Sequence, residues 1–339
     1  MMLPCVRVPI RVVPLENESL RGFLMRLAER NGVSGPDRIL NDVIGGARLP
    51  ITTRRALALA DYCRCDVPEF FQLFGIEQRS IDGSRQWRLA GEWITKDYFL
   101  RSSRPSVCPL CLAEGSFLRG QWEVTFYVAC PLHGVVLVER CPSCGRGLTP
   151  HRRRVDHCNC GFQFEKAEPV SASPEAWLVA ALVEYRIQGR AFLDVPKRLK
   201  LRMRTIEQLA GLDLDTLFKT LWLLGHCVGD ASRVASGHGR QRLWSWQASE
   251  TIRRAVELVA DWPDALFRAL ELRQAEHGLR DGMHPEAGLG PISRYLEGEM
   301  TGEQSAFVRA AYYRFVHDAW KQRGGRWRAR TRFCQLELF

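Results

Sequence analysis

Residues 108–161 read CPLCLAEGSFLRGQWEVTFYVACPLHGVVLVERCPSCGRGLTPHRRRVDHCNCG, and four short elements punctuate them: CPLC (108–111), CPLH (130–133), CPSC (141–144) and CNC (158–160). Two ligands separated by one or two residues can grip one metal ion from the same side. Pro109, Pro131 and Pro142 stiffen these knuckles, and Gly134, Gly145 and Gly161 permit the sharp exit that follows each one. Four knuckles supply enough ligands for two tetrahedral sites.

Sequential pairing needs the shorter loop closures, so it is favoured over a cross-braced arrangement. It places Cys108, Cys111, Cys130 and His133 on one ion and Cys141, Cys144, Cys158 and Cys160 on the other, with His157 as an alternative to one of the last cysteines. Soft thiolates with one imidazole select Zn²⁺ over hard cations. Both sets are complete without water, which is the mark of structural rather than catalytic zinc. Such an ion supplies on the order of 10 kcal/mol of folding free energy to a small module. With no export signal in the N-terminal residues, disulfides are the weaker reading of the cysteines.

Upstream, residues 15–75 read as short helices. Asn17 or Ser19 caps a helix through about Arg30, with Leu20, Phe23, Leu24, Leu27 and Ala28 on one face. A second helix spans about Pro36–Ile44. A third runs from Thr52 or Thr53 to Cys63, and a fourth opens at Val67 and ends by Gly75. The outline after residue 52 is that of a helix-turn-helix, but its second helix carries Phe70, Phe71 and Phe74 and no Arg or Lys. That composition suits docking on protein, or a core role, better than reading base edges. Residues 87–107 read as a connector with one strand, and Trp122–Val128 and Val135–Val138 as strand-like runs.

From about Pro174 the pattern is helical to the end, broken by Gly/Ser-rich stretches such as GDASRVASGHGRQ. The expected fold is mainly α with a small β-containing zinc module. Its parts are an N-terminal helix-turn-helix-like domain (1–86), a tandem zinc-finger module of ribbon or knuckle type (87–170) and a C-terminal helical domain with a basic tail (171–339).

The chain has 339 residues and a formal charge of +10, which favours a polyanionic partner. The excess is +3 over residues 101–170 and +5 over 301–339, while 171–300 is neutral. Arg152, Arg153 and Arg154 sit between the second site's two knuckles. Arg323, Arg326, Arg328, Arg330 and Arg332 crowd the tail with no acid among them. Both groups are candidate DNA phosphate contacts. Cys63 and Cys65 have no partner pair nearby and read as core, and the remaining histidines lack ligand spacing. No Walker A, GxSxG or HExxH motif is present, so no catalytic residue is assigned and an enzyme is not expected. No apolar run is long enough to span a membrane.

The opening PLENESLRGFLMRLAERNGV (14–33) resembles the start of TniQ/TnsD proteins, and CPLC…CPLH…CPSCG…CNCG resembles the paired zinc knuckles of the same family. Together the two motifs cover residues 14–164. The resemblance implies a non-catalytic target-selection subunit of a bacterial transposon. It would link double-stranded target DNA, or a DNA-bound CRISPR effector (Cascade-like), to a AAA+ ATPase transposition regulator (TnsC/TniB-like) that recruits the transposase. It implies a cytoplasmic, nucleoid-associated protein and leaves a homodimer open. A stand-alone zinc-dependent, sequence-specific DNA-binding regulator is the alternative.

Overall fold

The computed structural model describes residues 7–46, 50–101, 103–189, 199, 201–227, 234, 243–277 and 288–322. The chain divides into two compact units, one of residues 1–198 with 239–249 and one of 199–238 with 250–339. The N-terminal helices and both cysteine clusters fall in the first.

That unit begins with α1 (Leu20–Arg30), whose cap is Ser19: its Oγ accepts from the Gly22 amide at 3.0 Å. Phe23, Leu24, Leu27 and Ala28 are fully buried with residues of α2 (Pro36–Ile44) and α3 (Thr53–Cys63). Glu18 is fully buried beside the start of α1, and Arg26 donates to both its carboxylate oxygens, at 2.7 and 2.6 Å. Two aligned N–H donors meeting two acceptors make this pairing specific as well as strong.

After α3 comes α4 (Val67–Phe70), a single turn. The helix–turn–helix outline is present, but the second helix is too short to lie along a groove. Phe70 is fully buried and meets the Phe23 ring edge-on at 5.9 Å. The chain also forms a four-stranded sheet, of which β3 and β4 reach into residues 87–107, the stretch read from sequence as a connector with one strand. Its strands are β1 (Ile51–Thr52), β2 (Ile76–Arg79), β3 (Arg85–Leu89) and β4 (Glu92–Ile94), in that order, with β1 parallel to β2 and the rest antiparallel. Trp87, Leu89 and Ile94 turn one face of it into the core.

The stretch expected to be a strand at Trp122–Val128 contains instead a 3₁₀ turn over Gly120–Glu123. Regular pairing there is confined to β5 (Ala129–Cys130) with β6 (Val135–Val136), the two strands that flank the second knuckle. The residues of 122–128 are buried, and their pairing with residues 99–101 is limited to an isolated Leu100–Val124 bridge, so the apolar run is a core segment rather than a regular strand. Helix α6 (Pro174–Gln188) completes this part, and its buried Glu184 accepts from Gln121 at 3.0 Å and from the Tyr127 hydroxyl at 2.5 Å.

The second unit is helical. Helices Met203–Ala210 and Leu214–Cys227 are followed by the greater part of Ser245–Ala260, then Asp264–Glu276, Gly290–Glu299 and Ala306–Gln322. Leu217, Leu221, Leu224, Ile252, Leu270, Leu296 and Tyr312 form its interior. Among the described residues no helix is long and apolar enough to cross a membrane.

Candidate metal centres and the basic cleft beside them

Two groups of four ligand atoms come together, Cys108/Cys111/Cys130/His133 and Cys141/Cys144/Cys158/Cys160, each with all four atoms within 4.8 Å of one another. These are the sequential sets. In the first, Cys111 Sγ lies 3.6 Å from Cys130 Sγ, and His133 Nδ1 lies 3.6, 3.3 and 3.4 Å from the sulfurs of Cys108, Cys111 and Cys130. A tetrahedral ion with metal–sulfur bonds of about 2.3 Å and a metal–nitrogen bond of about 2.0 Å has edges of roughly 3.5 to 3.8 Å. The observed separations are close to such edges. In the second set, Cys141 to Cys160 and Cys144 to Cys158 are 3.6 and 3.8 Å apart, two opposite edges of the same figure. The donor chemistry and the spacing both fit a tetrahedral metal ion.

Local structure explains how each ligand is aimed. Cys108 caps the short helix α5 (Pro109–Glu114), whose first residue is a proline that has no amide proton to leave unsatisfied. The Cys111 amide points back at Cys108 Sγ, 3.5 Å away. The knuckle carrying Cys130 and His133 closes at Gly134, whose φ of +66° is costly for other residues and whose amide donates to the Cys130 carbonyl at 2.8 Å. His133 turns Nδ1 to the sulfurs, so Nε2 carries the proton and donates to Glu114 Oε1 at 3.0 Å. A carboxylate behind a ligating imidazole fixes its tautomer and raises its basicity. Glu114 was not legible as part of the site from sequence. The backbone amide and guanidinium of Arg146 lower the Cys144 thiol to about 6, toward the thiolate a metal requires.

The first cluster is largely buried, whereas the second grades from buried Cys141 to exposed Cys160. His157 stands outside the second cluster, its Nδ1 2.8 Å from Asp156. Cys63 and Cys65 are both buried in the N-terminal core, and burial pushes the Cys65 thiol up to about 11, so neither is a ready thiolate.

The arginines between the knuckles have three different environments. Arg152 is 1% exposed. It donates to the carbonyls of Thr149, Arg154 and Val155 at 3.1 to 3.3 Å and lies over the Phe164 ring. The expectation that it touches DNA is therefore corrected: its guanidinium is spent on holding the loop. Arg154 pairs with Glu29 and, through two nitrogens, with Asp156, all at 3.0 Å. Arg153 is exposed and has no ion pair among the described residues. Arg153 and Arg154 line a cleft of about 590 Å³ together with Asp37, Arg38, His151 and Asn159. The five tail arginines, Arg323, Arg326, Arg328, Arg330 and Arg332, lie outside the described residues.

Behind the cleft is a buried charge cluster. Arg21 donates to Asp37 at 3.2 Å and to the Pro150 carbonyl at 2.8 Å. Burial pushes the Glu123 carboxyl up to about 7, against the pull of Arg21, the Ser19 hydroxyl and Arg152. Burial also lowers Arg152, to about 10.

No curated protein matches the chain at a significant level. The TniQ family model matches residues 9–137, a span that runs from just after Val8, the first core residue described, to the strand after the second knuckle. Residues 9–137 are thus similar to a TniQ domain, a domain associated with DNA transposition.

Proposed function

We propose that this chain is a non-catalytic target-selection adaptor of a transposon. It couples duplex target DNA, or a CRISPR effector already seated on DNA, to a AAA+ ATPase regulator that in turn recruits the transposase. The observation that carries the reading is the TniQ-like domain itself, joined in one compact unit to two clusters whose four positions are all filled by protein ligands. A closed tetrahedral set leaves no place for a metal-bound water, so the clusters suit architecture rather than hydrolysis.

Cys108, Cys111, Cys130 and His133 would hold one Zn²⁺, and Cys141, Cys144, Cys158 and Cys160 a second. Each ion would cross-link two chain segments that share little regular structure. Residues 1–86 are assigned to an N-terminal helix-turn-helix-like domain, 87–170 to the tandem zinc-finger module and 171–339 to a helical domain ending in a basic tail. The one-turn α4, with Phe70 turned into the core, supports protein docking over base reading by the helix-turn-helix segment. Arg153, with Arg154 beside it, and the five tail arginines are the proposed phosphate contacts.

The test uses the purified full chain, the AAA+ ATPase encoded beside it and duplex DNA. The adaptor reading expects the chain to bind the ATPase and raise its loading on DNA. Tight sequence-specific DNA binding with no affinity for the ATPase would instead favour the stand-alone zinc-dependent regulator.

A further inference from the structure

The sheet has a two-stranded end. β1 pairs with Ile76 and Glu77, and β4 with Trp87, Arg88 and Leu89, so from Gln78 and Gln86 outward the hairpin has no strand on either side among the described residues. At its tip Ile81 is fully exposed. The tip is also braced. The Ser80 amide donates to the Ser84 carbonyl at 3.0 Å, the Ser84 amide donates to Asp82 Oδ1 at 2.9 Å, and the Ser80 hydroxyl bonds the same carboxylate. The Asp82 charge is thus tied into the turn by the residues on either side of it.

Register decides what this projection presents. Gln78 stands directly opposite Gln86, and Arg79 directly opposite Arg85. Alternation places the two glutamines on one face and the two arginines on the other. Next to the glutamines, on their face, come the cross-strand pair Arg88 and Trp93, both exposed, with the guanidinium 6.0 Å from the indole. Neither glutamine amide bonds another side chain among the described residues. Arg79 donates to the Gly83 carbonyl at 2.9 Å, and Arg79 and Arg85, which reach Glu77 only at 4.0 and 3.9 Å, keep more than half of their side-chain surface exposed.

We propose that this hairpin is a DNA-reading ribbon that enters the major groove of the duplex the adaptor engages; the inference rests on the DNA-binding part of the function proposed above. The major groove, about 12 Å wide, admits a two-stranded ribbon lying with one face against the base edges, and the face so presented is the one that carries Gln78 and Gln86. A glutamine amide can donate and accept at once, matching the adenine edge in that groove, and an arginine fork matches either guanine or backbone phosphate. The deep, narrow major groove of duplex RNA cannot take a ribbon, so the ligand is DNA.

The test is selection from a randomised DNA duplex pool with the full wild-type chain, with Gln78→Ala/Gln86→Ala and with Arg79→Ala/Arg85→Ala. Each chain is checked for unchanged melting and metal content, and duplex RNA serves as a parallel probe. Wild type should enrich a short motif and prefer DNA. The glutamine pair should keep overall affinity but lose roughly ten-fold or more of its preference at A·T positions. The arginine pair should bind every sequence more weakly, with the salt slope reduced by up to about two, and Arg79→Lys/Arg85→Lys should restore the slope. Wild type that binds no duplex would overturn the DNA reading and this inference together. Wild type that binds DNA while both double variants match it in affinity and motif overturns the ribbon alone. So does a defect confined to ATPase binding, which would make the hairpin a protein contact.

Discussion

The guanidinium of Arg21, in the first helix, donates to the main-chain carbonyl of Pro150, 129 residues away at the tip between the knuckles of the second cluster. The same guanidinium holds Asp37 at the start of α2, and Asp37 also faces His151. A single buried cation thus fixes the N-terminal helices against the loop that carries Arg152, Arg153 and Arg154. The walls of the basic cleft are held by this buried contact from within and by the exposed Arg154–Glu29 and His151–Asp37 pairs at the surface.

The first prediction concerns metal content. Purified chain should carry about two Zn per molecule, the number set by two closed four-ligand sets. Cys130→Ser and Cys141→Ser should each lose one ion, and the former should cost more stability because its cluster is the more buried. Elemental analysis with thermal melts reads both, and a metal-free chain with full stability would refute the assignment.

Neighbouring arginines should separate cleanly. Arg152→Ala removes a buried cation from three carbonyls and should destabilise the chain by about 3 kcal/mol, a typical cost of breaking a buried charged contact. Arg153→Ala should leave the melting temperature unchanged while lowering the slope of log affinity against log salt by about 0.9. The reverse pattern, in calorimetry and fluorescence anisotropy, would place the DNA contact wrongly.

Glu123 should give the fold a pH dependence of its own. Its folded value of about 7 lies above the ordinary 4.5, so the folded chain retains a proton that the unfolded chain releases between those values. Stability should therefore fall as pH rises through that window and level off above it, by at most about 3 kcal/mol. In Glu123→Gln the group cannot ionise. The variant's melting temperature should rise relative to wild type between about pH 5 and about pH 7.5. Metal release at the acid end is common to both chains, and a constant difference between them would count against the assignment.

Gly22 is in α1, where a Cβ would stand 2.6 Å from the Leu118 Cβ and 3.1 Å from its backbone nitrogen and oxygen. The segment before the 3₁₀ turn leans directly on the helix there. Gly22→Ala should cost about 2 to 3 kcal/mol through overpacking. A denaturant midpoint equal to wild type would show that the loop can move away freely.

The tail lends itself to a purely electrostatic test. Replacing Arg326, Arg328 and Arg330 together by Ala should lower the salt slope by about two to three and weaken binding alike on all DNA sequences. Affinity for the ATPase should be unaffected if the first half of the chain carries that contact. An unchanged slope would show the tail to be solvated rather than bound.

The elements that could be read from sequence are the ones whose causes are local. A knuckle is defined by residues two or three apart, and α1, α2 and α6 announce themselves by a capping serine, an opening proline or both. The sheet was missed because β2 and β3 read IEQR and RQWRL, charged or polar at most positions, and only their mutual pairing makes strands of them. Arg152 was misjudged for a related reason. Nothing adjacent to it in sequence reveals that Phe164 and a nest of carbonyls enclose it. Glu123 could not be distinguished from any other acid until Arg21 and Arg152 were placed beside it.

The first compact unit is not contiguous in the chain: it takes residues 239–249 from beyond part of the second. Ser245 accepts from Arg101 at 2.7 Å and its amide donates to Glu139 at 2.9 Å, while Trp244 has the guanidiniums of Arg104 and Arg140 at 3.6 and 4.9 Å from its ring. A gene cut after Arg198 would therefore not yield a freestanding metal-binding module. It would leave Arg101, one of the most deeply buried side chains of the fold, without its serine, and would strip two further arginines of the indole they share. During synthesis the same dependence acts in time: this unit can close only after the ribosome has passed residue 249 and released helical segments that belong to the second.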